Sequence, residues 1–383
     1  GKMGFEMRIL HVLDMLDENS GITNIIINYY KHTDFSKYKI DFLIPETGKK
    51  DKKYVDLISS CGGKIYGFVY PSIKNISAYK KSIRSFFEAH GKDYDIVQCS
   101  FFHVSREVFS QAKKAGIPVR IAHSHSSKLS DKWYKGIRNK ISLWGAFKNV
   151  TDYFAISKDA ASGLFGKRRK TDLYIVKNGI DAEKFRFSEE NREKIRCELG
   201  LTNEFALCHV GNFNAIKNQK FVIEIFKCIL SENPLSKLIF VGDAGNMKNE
   251  IAECVKKEGL CDSVMFLGKR SDVNMVLQGA DAFAFPSLHE GFGLSLLEAQ
   301  CASLPCVCSD RIPKEAIVSD KCVSLELSQE PRVWAKTLTR LLGSEKRSDK
   351  GYFDVSENGF DISSANREIC DIYDKLLKKR AQK

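Results

Sequence analysis

No stretch of the 383 residues approaches the roughly 20 consecutive apolar residues that a membrane helix needs. None of the 12 cysteines pairs in a Cys-x-x-Cys spacing either. The first absence argues against a helical membrane protein, and the second leaves zinc ribbons and disulfide scaffolds without their usual frame. Cys301, Cys306 and Cys308 lie beside and within an apolar run, so they read as small buried filler, and a reduced, cytoplasmic setting is expected. Residues 1–6 carry no apolar core, so no leader is expected. Acidic residues are scarce in the first half: residues 1–180 hold 31 Lys and Arg against 17 Asp and Glu, whereas residues 181–383 hold 29 against 31. A positive field confined to one region suits an anionic partner, either nucleic acid or a membrane surface that carries lipid phosphate. No recognition motif with interleaved aromatics accompanies the charge, so nucleic acid is not the expected partner. Lys167, Arg168, Arg169 and Lys170 form the densest basic cluster.

What is present is ordinary globular material, 43% hydrophobic and 28% charged. A single core stops growing near roughly 250 to 300 residues, so two domains are expected. Short apolar runs alternate with amphipathic stretches from end to end, the pattern of βαβ units around a parallel sheet. Strands are predicted at 7–13, 40–44, 64–68, 95–99, 119–123, 153–156 and 174–176, and then at 206–210, 238–241, 264–267, 282–285, 306–308 and 322–325. That count fits an α/β protein of two Rossmann-like domains, 1–180 and 181–360. The boundary falls at Asn178-Gly179-Ile180-Asp181, where a strand runs into turn residues. A final helical stretch, within 361–383, carries apolar residues at Ile369, Ile372, Tyr373, Leu376 and Leu377.

The most informative segment is His289-Glu290-Gly291-Phe292-Gly293-Leu294-Ser295-Leu296-Leu297-Glu298-Ala299, which follows the predicted strand 282–285 and Pro286. It reads as a strand, a glycine-bearing turn and a helix start, with a carboxylate on each side. Gly291 and Gly293 allow close approach of the backbone, and the N–H groups of Phe292, Gly293, Leu294 and Ser295 at a helix N-terminus favour an anion such as phosphate. Glu290, at the strand end, would face whatever the phosphate carries. Glu298, about one turn into the helix, would face a polyol such as ribose.

This segment resembles the Glu-x7-Glu signature of the retaining GT-B-fold glycosyltransferases of family 4. The likeness continues through Ile9-Leu10-His11-Val12, Ala122-His123-Ser124-His125, Asn178-Gly179-Ile180-Asp181, Gly211-Asn212-Phe213-Asn214 to Lys217-Asn218-Gln219, and Phe240-Val241-Gly242-Asp243. It is strongest to bacterial enzymes that build capsule and exopolysaccharide. The resemblance implies two Rossmann-like domains facing each other across a cleft, the first for the acceptor and the second for a nucleotide sugar, with the terminal helix crossing back to the first. It implies transfer from a nucleotide diphosphate donor, with a UDP-sugar as the expected one, to an acceptor hydroxyl. It also implies no metal and no cofactor beyond the donor, a glycan or lipid-linked acceptor, and peripheral contact with the inner face of the plasma membrane.

Four further places are candidates. Gly21 opens a helix after the first strand, and in the family that loop turns N–H groups toward the reaction centre. His123 ends a strand, where ligands of open α/β sheets bind; the resemblance places it beside the transferred sugar, with His125 as the rival. Lys217, on the turn that opens the next helix, can neutralise a leaving diphosphate. Asn212 stands where the family commonly has Arg. Lys269 and Arg270 occupy the position where the family reads the nucleotide base. Asp93-Tyr94-Asp95 has the form of an Asp-x-Asp metal motif but precedes a first-domain strand, and it reads as a turn. Acceptor choice is expected to depend on first-domain loops such as residues 126–140. A second reading is a non-catalytic GT-B partner subunit, for which Asn212 and the single glycine of the first loop speak.

Overall fold

The structure, a computed structural model, describes residues 7–18, 20–125, 145, 147–166, 172–343 and 346–382. The cluster at 167–170 and the loop at 126–140 lie outside the described residues. The chain forms two compact units, one of residues 1–179 with 362–383 and the other of residues 180–361.

In the first unit, strands β1 (Met7–Val12), β2 (Tyr38–Pro45), β3 (Ile65–Phe68), β4 (Ile96–Cys99), β5 (Val119–Ser124), β6 (Asp152–Ala155) and β7 (Leu173–Ile175) build one sheet in the order β3-β2-β1-β4-β5-β6-β7. Every pairing is parallel. Parallel sheets are covered on both faces, which is why β1, β2 and β4 read as nearly continuous apolar runs. The helix Gly21–Lys31 and the terminal helix Ile362–Ala381 cover one face, with Ile26, Ile27, Ile369, Tyr373 and Leu376 packed on Ile9, Phe42 and Phe154. The carboxylates of the Asp93-Tyr94-Asp95 segment are engaged within the fold: Asp95 accepts from the Arg8 N–H at 2.8 Å and Asp93 lies 4.0 Å from the Arg8 guanidinium.

The second unit repeats the plan with β8 (Ala206–Val210), β9 (Lys237–Val241), β10 (Val264–Phe266), β11 (Ala282–Phe285), β12 (Cys306–Ser309) and β13 (Cys322–Leu325), in the order β10-β9-β8-β11-β12-β13. These pairings are parallel as well. Cys301, Cys306 and Cys308 are fully buried. In both sheets the chain winds outward in one direction from its first strand and then returns to wind the other way. The reversal falls between β1 and β4 and between β8 and β11, and loops on either side of such a point diverge to leave a crevice at the carboxyl edge. No helix among the described residues is long and apolar enough to cross a membrane.

Candidate functional site

At the reversal of the second sheet, the loops after β8 and β11 are tied together. Asn218 Nδ2 donates to the Pro286 carbonyl at 3.1 Å, and the Leu288 N–H donates to the Ile216 carbonyl at 2.7 Å. Asn214 caps the short turn Ala215–Lys217 by accepting from the Lys217 N–H at 3.2 Å, and Asn218 follows in a left-handed conformation, φ 55°. This aims the lysine back over the sheet edge. Its stem lies across Gly211, where a Cβ would come within 3.1 Å of the side chain. Its Nζ lies 4.9 Å from the centroid of the Phe285 ring and 2.6 Å from Glu290 Oε1. A lysine and a glutamate 73 positions apart thus meet at the topological switch point.

Gly293 starts the helix Leu294–Cys301 at φ 97° and ψ 56°, a conformation an L side chain rarely adopts, and a Cβ there would press on Phe285 at 3.3 Å. Its carbonyl accepts from the N–H groups of Leu296 and Leu297 at 3.1 and 3.2 Å. The amides of Leu294 and Ser295 precede any intrahelical acceptor, and they supply the donors and the positive dipole end of an anion site. Phe292 turns its side chain into the core against Phe360, with ring centroids 5.2 Å apart, so only its backbone is available to a ligand. Gly291, beside it, is half-buried.

Glu298, half-buried one turn further along, is pushed up to about 7 by loss of solvation, while the nearby Lys217 charge pulls it back down. One ammonium therefore works on two carboxylates. It pairs directly with Glu290 and acts through space on Glu298.

His209 of β8 joins this site without having been legible as part of it. Its Nδ1 donates to the Ala284 carbonyl at 2.9 Å, and its Nε2 is buried without a partner among the described residues. Burial, and then the Lys217 charge, hold it down to about 4, so the ring is neutral. The only cue was a histidine one residue before the end of a predicted strand at the reversal.

Two candidates lie away from this centre. Arg270 follows β10, two strands from β8, and its guanidinium is taken up by Asp272 at 2.8 and 2.7 Å and by Glu198 at 2.8 Å. Its side chain is thus committed to neighbouring carboxylates, and a base-reading role would rest on backbone groups. Lys269 is exposed. Asn212 is exposed on the loop after β8, and its carbonyl accepts from Gln219 Nε2 and the Asn214 N–H, each at 2.9 Å.

The first unit presents a different chemistry at its own carboxyl edge. Tyr373, on the terminal helix, donates to Gln98 Oε1 at 2.6 Å, and Gln98 Nε2 lies 2.9 Å from His123 Nδ1. With the amide oriented that way, Nδ1 accepts and the proton sits on Nε2, which is buried without a partner among the described residues. His125 lies two residues further toward the carboxyl edge, its ring centroid 3.9 Å from that of His123 and its Nε2 3.1 Å from Ser100 Oγ. His11 of β1 completes the group, and a cavity of about 30 Å³ opens among the three rings and Tyr29, Tyr30 and Tyr373. Burial keeps all three histidines neutral, His11 down to about 4 and His125 down to about 3. The structure sets His123, the ring expected against a sugar, within this group. The ring is 2% exposed, hydrogen-bonded to Gln98 and packed edge-on to Phe154, so it underlies His125. Gly21 opens the helix Gly21–Lys31, which Ser20 caps by accepting from the Thr23 N–H at 3.3 Å. A Cβ at Gly21 would meet nothing within 4 Å, so open space lies before it.

A pair of parallel, doubly wound α/β units is the architecture of the GT-B fold. Residues 191–352 match the sequence profile of the family described as Glycosyl transferases group 1. The chain is 29% identical over 344 residues to the Bacillus subtilis (strain 168) glycosyltransferase named EpsF, covering 88% of each. It is 27% identical over 323 residues, 80% of each chain, to an Escherichia coli UDP-Gal:alpha-D-GlcNAc-diphosphoundecaprenol alpha-1,3-galactosyltransferase. Among solved structures, Anabaena Alr3699/HepE in complex with UDP superposes with a TM-score of 0.78 at 18% identity, over 96% of this chain and 100% of that one. The chain thus has the GT-B fold, and its residues 191–352 resemble the glycosyl transferases of group 1.

Proposed function

We propose that the protein is a retaining glycosyltransferase that moves a sugar from a UDP-sugar to a hydroxyl of a lipid-linked acceptor in the synthesis of a bacterial surface polysaccharide. The observation that carries this reading is the Lys217–Glu290 pair at the switch point, beside the start of the helix Leu294–Cys301. Two relatives and neighbours support the choice of substrates by their names: the galactosyltransferase of a diphosphoundecaprenol-linked sugar, and the HepE structures with UDP and with UDP-glucose.

The second unit holds the donor. Leu294 and Ser295 amides bind the diphosphate, Glu298 accepts from the ribose hydroxyls, and Glu290 orients the sugar. Lys217 exchanges its contact with Glu290 for the diphosphate, whose negative charge grows as the bond from C1 to phosphate oxygen breaks. The acceptor oxygen bonds to C1 on the same face, and its proton passes to the departing phosphate oxygen. No enzymic nucleophile and no metal is required in this scheme, because the ammonium and the amides supply the positive charge. On the first unit, His125 and His123 offer neutral rings at the carboxyl edge for the acceptor. Gly21 leaves room at the head of the first helix, and the basic surface rests on an anionic membrane at the cytoplasmic side.

The testing experiment is a thermal-shift and calorimetric comparison of UDP-, GDP- and ADP-sugars. A ligand that binds only the folded state raises its apparent stability. UDP-sugars should shift the transition most, and Glu298→Ala should remove most of that shift. Absence of any nucleotide effect would favour the second reading, a non-catalytic GT-B partner subunit, which the exposed Asn212 in place of the family's usual Arg supports.

A further inference from the structure

We infer that the loop after β3 and the helix Ile76–His90 form a membrane-docking edge, which seats the first unit on an anionic bilayer surface. The inference rests on the lipid-linked acceptor proposed above and assigns that contact to particular residues. Between Asp56 and Glu88 the chain has no acidic residue, while Lys64, Lys74, Lys80, Lys81 and Arg84 are basic. Within this stretch Ile73 is 100% exposed, Ile76 48% and Tyr70 46%. Scattered apolar side chains on a surface are ordinary, but three within seven residues, in a stretch whose charged residues are all cations, are not.

The tip is held in shape by polar contacts while its apolar side chains face outward. The Ser72 N–H donates to Asn75 Oδ1 at 2.7 Å, Asn75 Nδ2 donates to the Tyr70 carbonyl at 3.0 Å, and the Val69 N–H donates to Ser82 Oγ at 3.1 Å. The Tyr70 ring rests 6.1 Å from that of Phe101. The helix then buries Tyr79, Ile83, Phe86 and Phe87 and leaves Lys80, Lys81 and Arg84 exposed. Apolar groups at a tip with cations over the next two turns match the layering of a bilayer surface, where acyl chains lie beneath phosphates. Nucleic acid would account for the cations and leave Ile73 and Ile76 without a partner.

The position also suits the chemistry. All seven strands of the sheet are parallel, so the loop after β3 emerges at the same edge as those that carry Gly21, Ser100 and His125. β3 stands two strands from β1, about 10 Å away at the usual strand spacing. A bilayer met by Ile73 would present lipid headgroups along that edge.

The test is co-sedimentation of the full chain with vesicles of phosphatidylglycerol and phosphatidylcholine in equal parts, against vesicles of phosphatidylcholine alone. Binding to the anionic vesicles should be at least about tenfold tighter and should weaken with salt. The double variants Ile73→Ser with Ile76→Ser and Lys80→Glu with Lys81→Glu should each lower it about tenfold, leaving the UDP thermal shift unchanged. The inference is overturned if the unaltered chain stays in the supernatant, if both variants sediment like it, or if single-stranded RNA binds more tightly than the vesicles and the isoleucine variant retains that binding. Loss of the UDP response in the unaltered chain would instead count against the glycosyltransferase reading, so the two failures are distinguishable.

Discussion

The two units share one winding plan and differ in almost everything that a ligand would feel. Both run outward from a first strand, reverse, and run the other way, with every strand parallel. Yet the residues of the first unit, 1–179 with 362–383, include 37 Lys and Arg against 20 Asp and Glu, and those of the second include 23 against 28. At its carboxyl edge the first unit gathers neutral histidines, tyrosines and a glutamine, and the second gathers one ammonium and two carboxylates. The same scaffold therefore suits a neutral hydroxylated group on one side and a diphosphate on the other. The fold decides where a ligand can lie, and the side chains at the reversal decide which ligand it is.

That contrast is sharpened most by Lys217→Ala. Removing the cation should lower kcat about 100- to 1,000-fold, the range seen when one transition-state donor is deleted. The loss should appear in single-turnover kinetics with UDP-sugar, while the first unit stays folded. Next is Glu298→Ala, for which calorimetry should show UDP binding weakened about tenfold to 100-fold, as expected for a lost charge-assisted hydrogen bond. By comparison, Glu290→Gln should lower turnover and leave UDP affinity within about twofold. If Glu290→Gln weakened UDP as much as Glu298→Ala did, the division of labour between the two carboxylates would fail.

The first unit should answer to different changes. Tyr373→Phe removes the donor to Gln98 Oε1 and leaves a buried acceptor without it, a cost of about 1–3 kcal/mol. Urea unfolding should register that loss, and UDP affinity should not change. His125→Ala should lower kcat with little effect on the urea midpoint, whereas His123→Ala should do the reverse. Equal effects on both readouts would dissolve the distinction between the two rings.

The smallest expected effect is a pH dependence. Glu298 is held near 7 in the folded state, against an ordinary value of 4.5. Between those values the folded state keeps a proton that the unfolded chain has released. The associated stability is thus complete below about 4.5 and is lost as pH rises through about 7. After allowance for partial solvent screening the change is on the order of 1 kcal/mol. Urea midpoints of the unaltered chain should fall between about pH 5 and about pH 8 more than those of Glu298→Gln; parallel profiles would place the responsible group elsewhere.

Much of the frame was legible along the chain because strands buried on both faces must be apolar throughout. β8, β11 and β13 begin and end where the sequence pattern places them. β10 ends one residue early, at Phe266, because Gly268 turns the backbone into a left-handed conformation at φ 66°. Gly293 was legible for a similar reason, since a glycine between a strand and a helix start marks a turn that other residues resist. The partners were not legible. Arg270 stood at the position where the family reads the nucleotide base, and only folding brought its side chain to Glu198, 72 positions away. The strand-end position of His123 was legible, and only folding linked it through Gln98 to Tyr373, which is 275 positions from that glutamine.

By itself the sequence determined the α/β class, the places where strands give way to turns, and the electrostatic difference between the two halves, because these depend on local periodicity, glycine conformation and composition. The tertiary structure alone decided that Lys217 pairs with Glu290 while it tunes Glu298, that His209 joins them, and that Gln98 links His123 to Tyr373. Those outcomes depend on distances between residues far apart in the chain, and on how much water each group loses, and neither is encoded in local pattern.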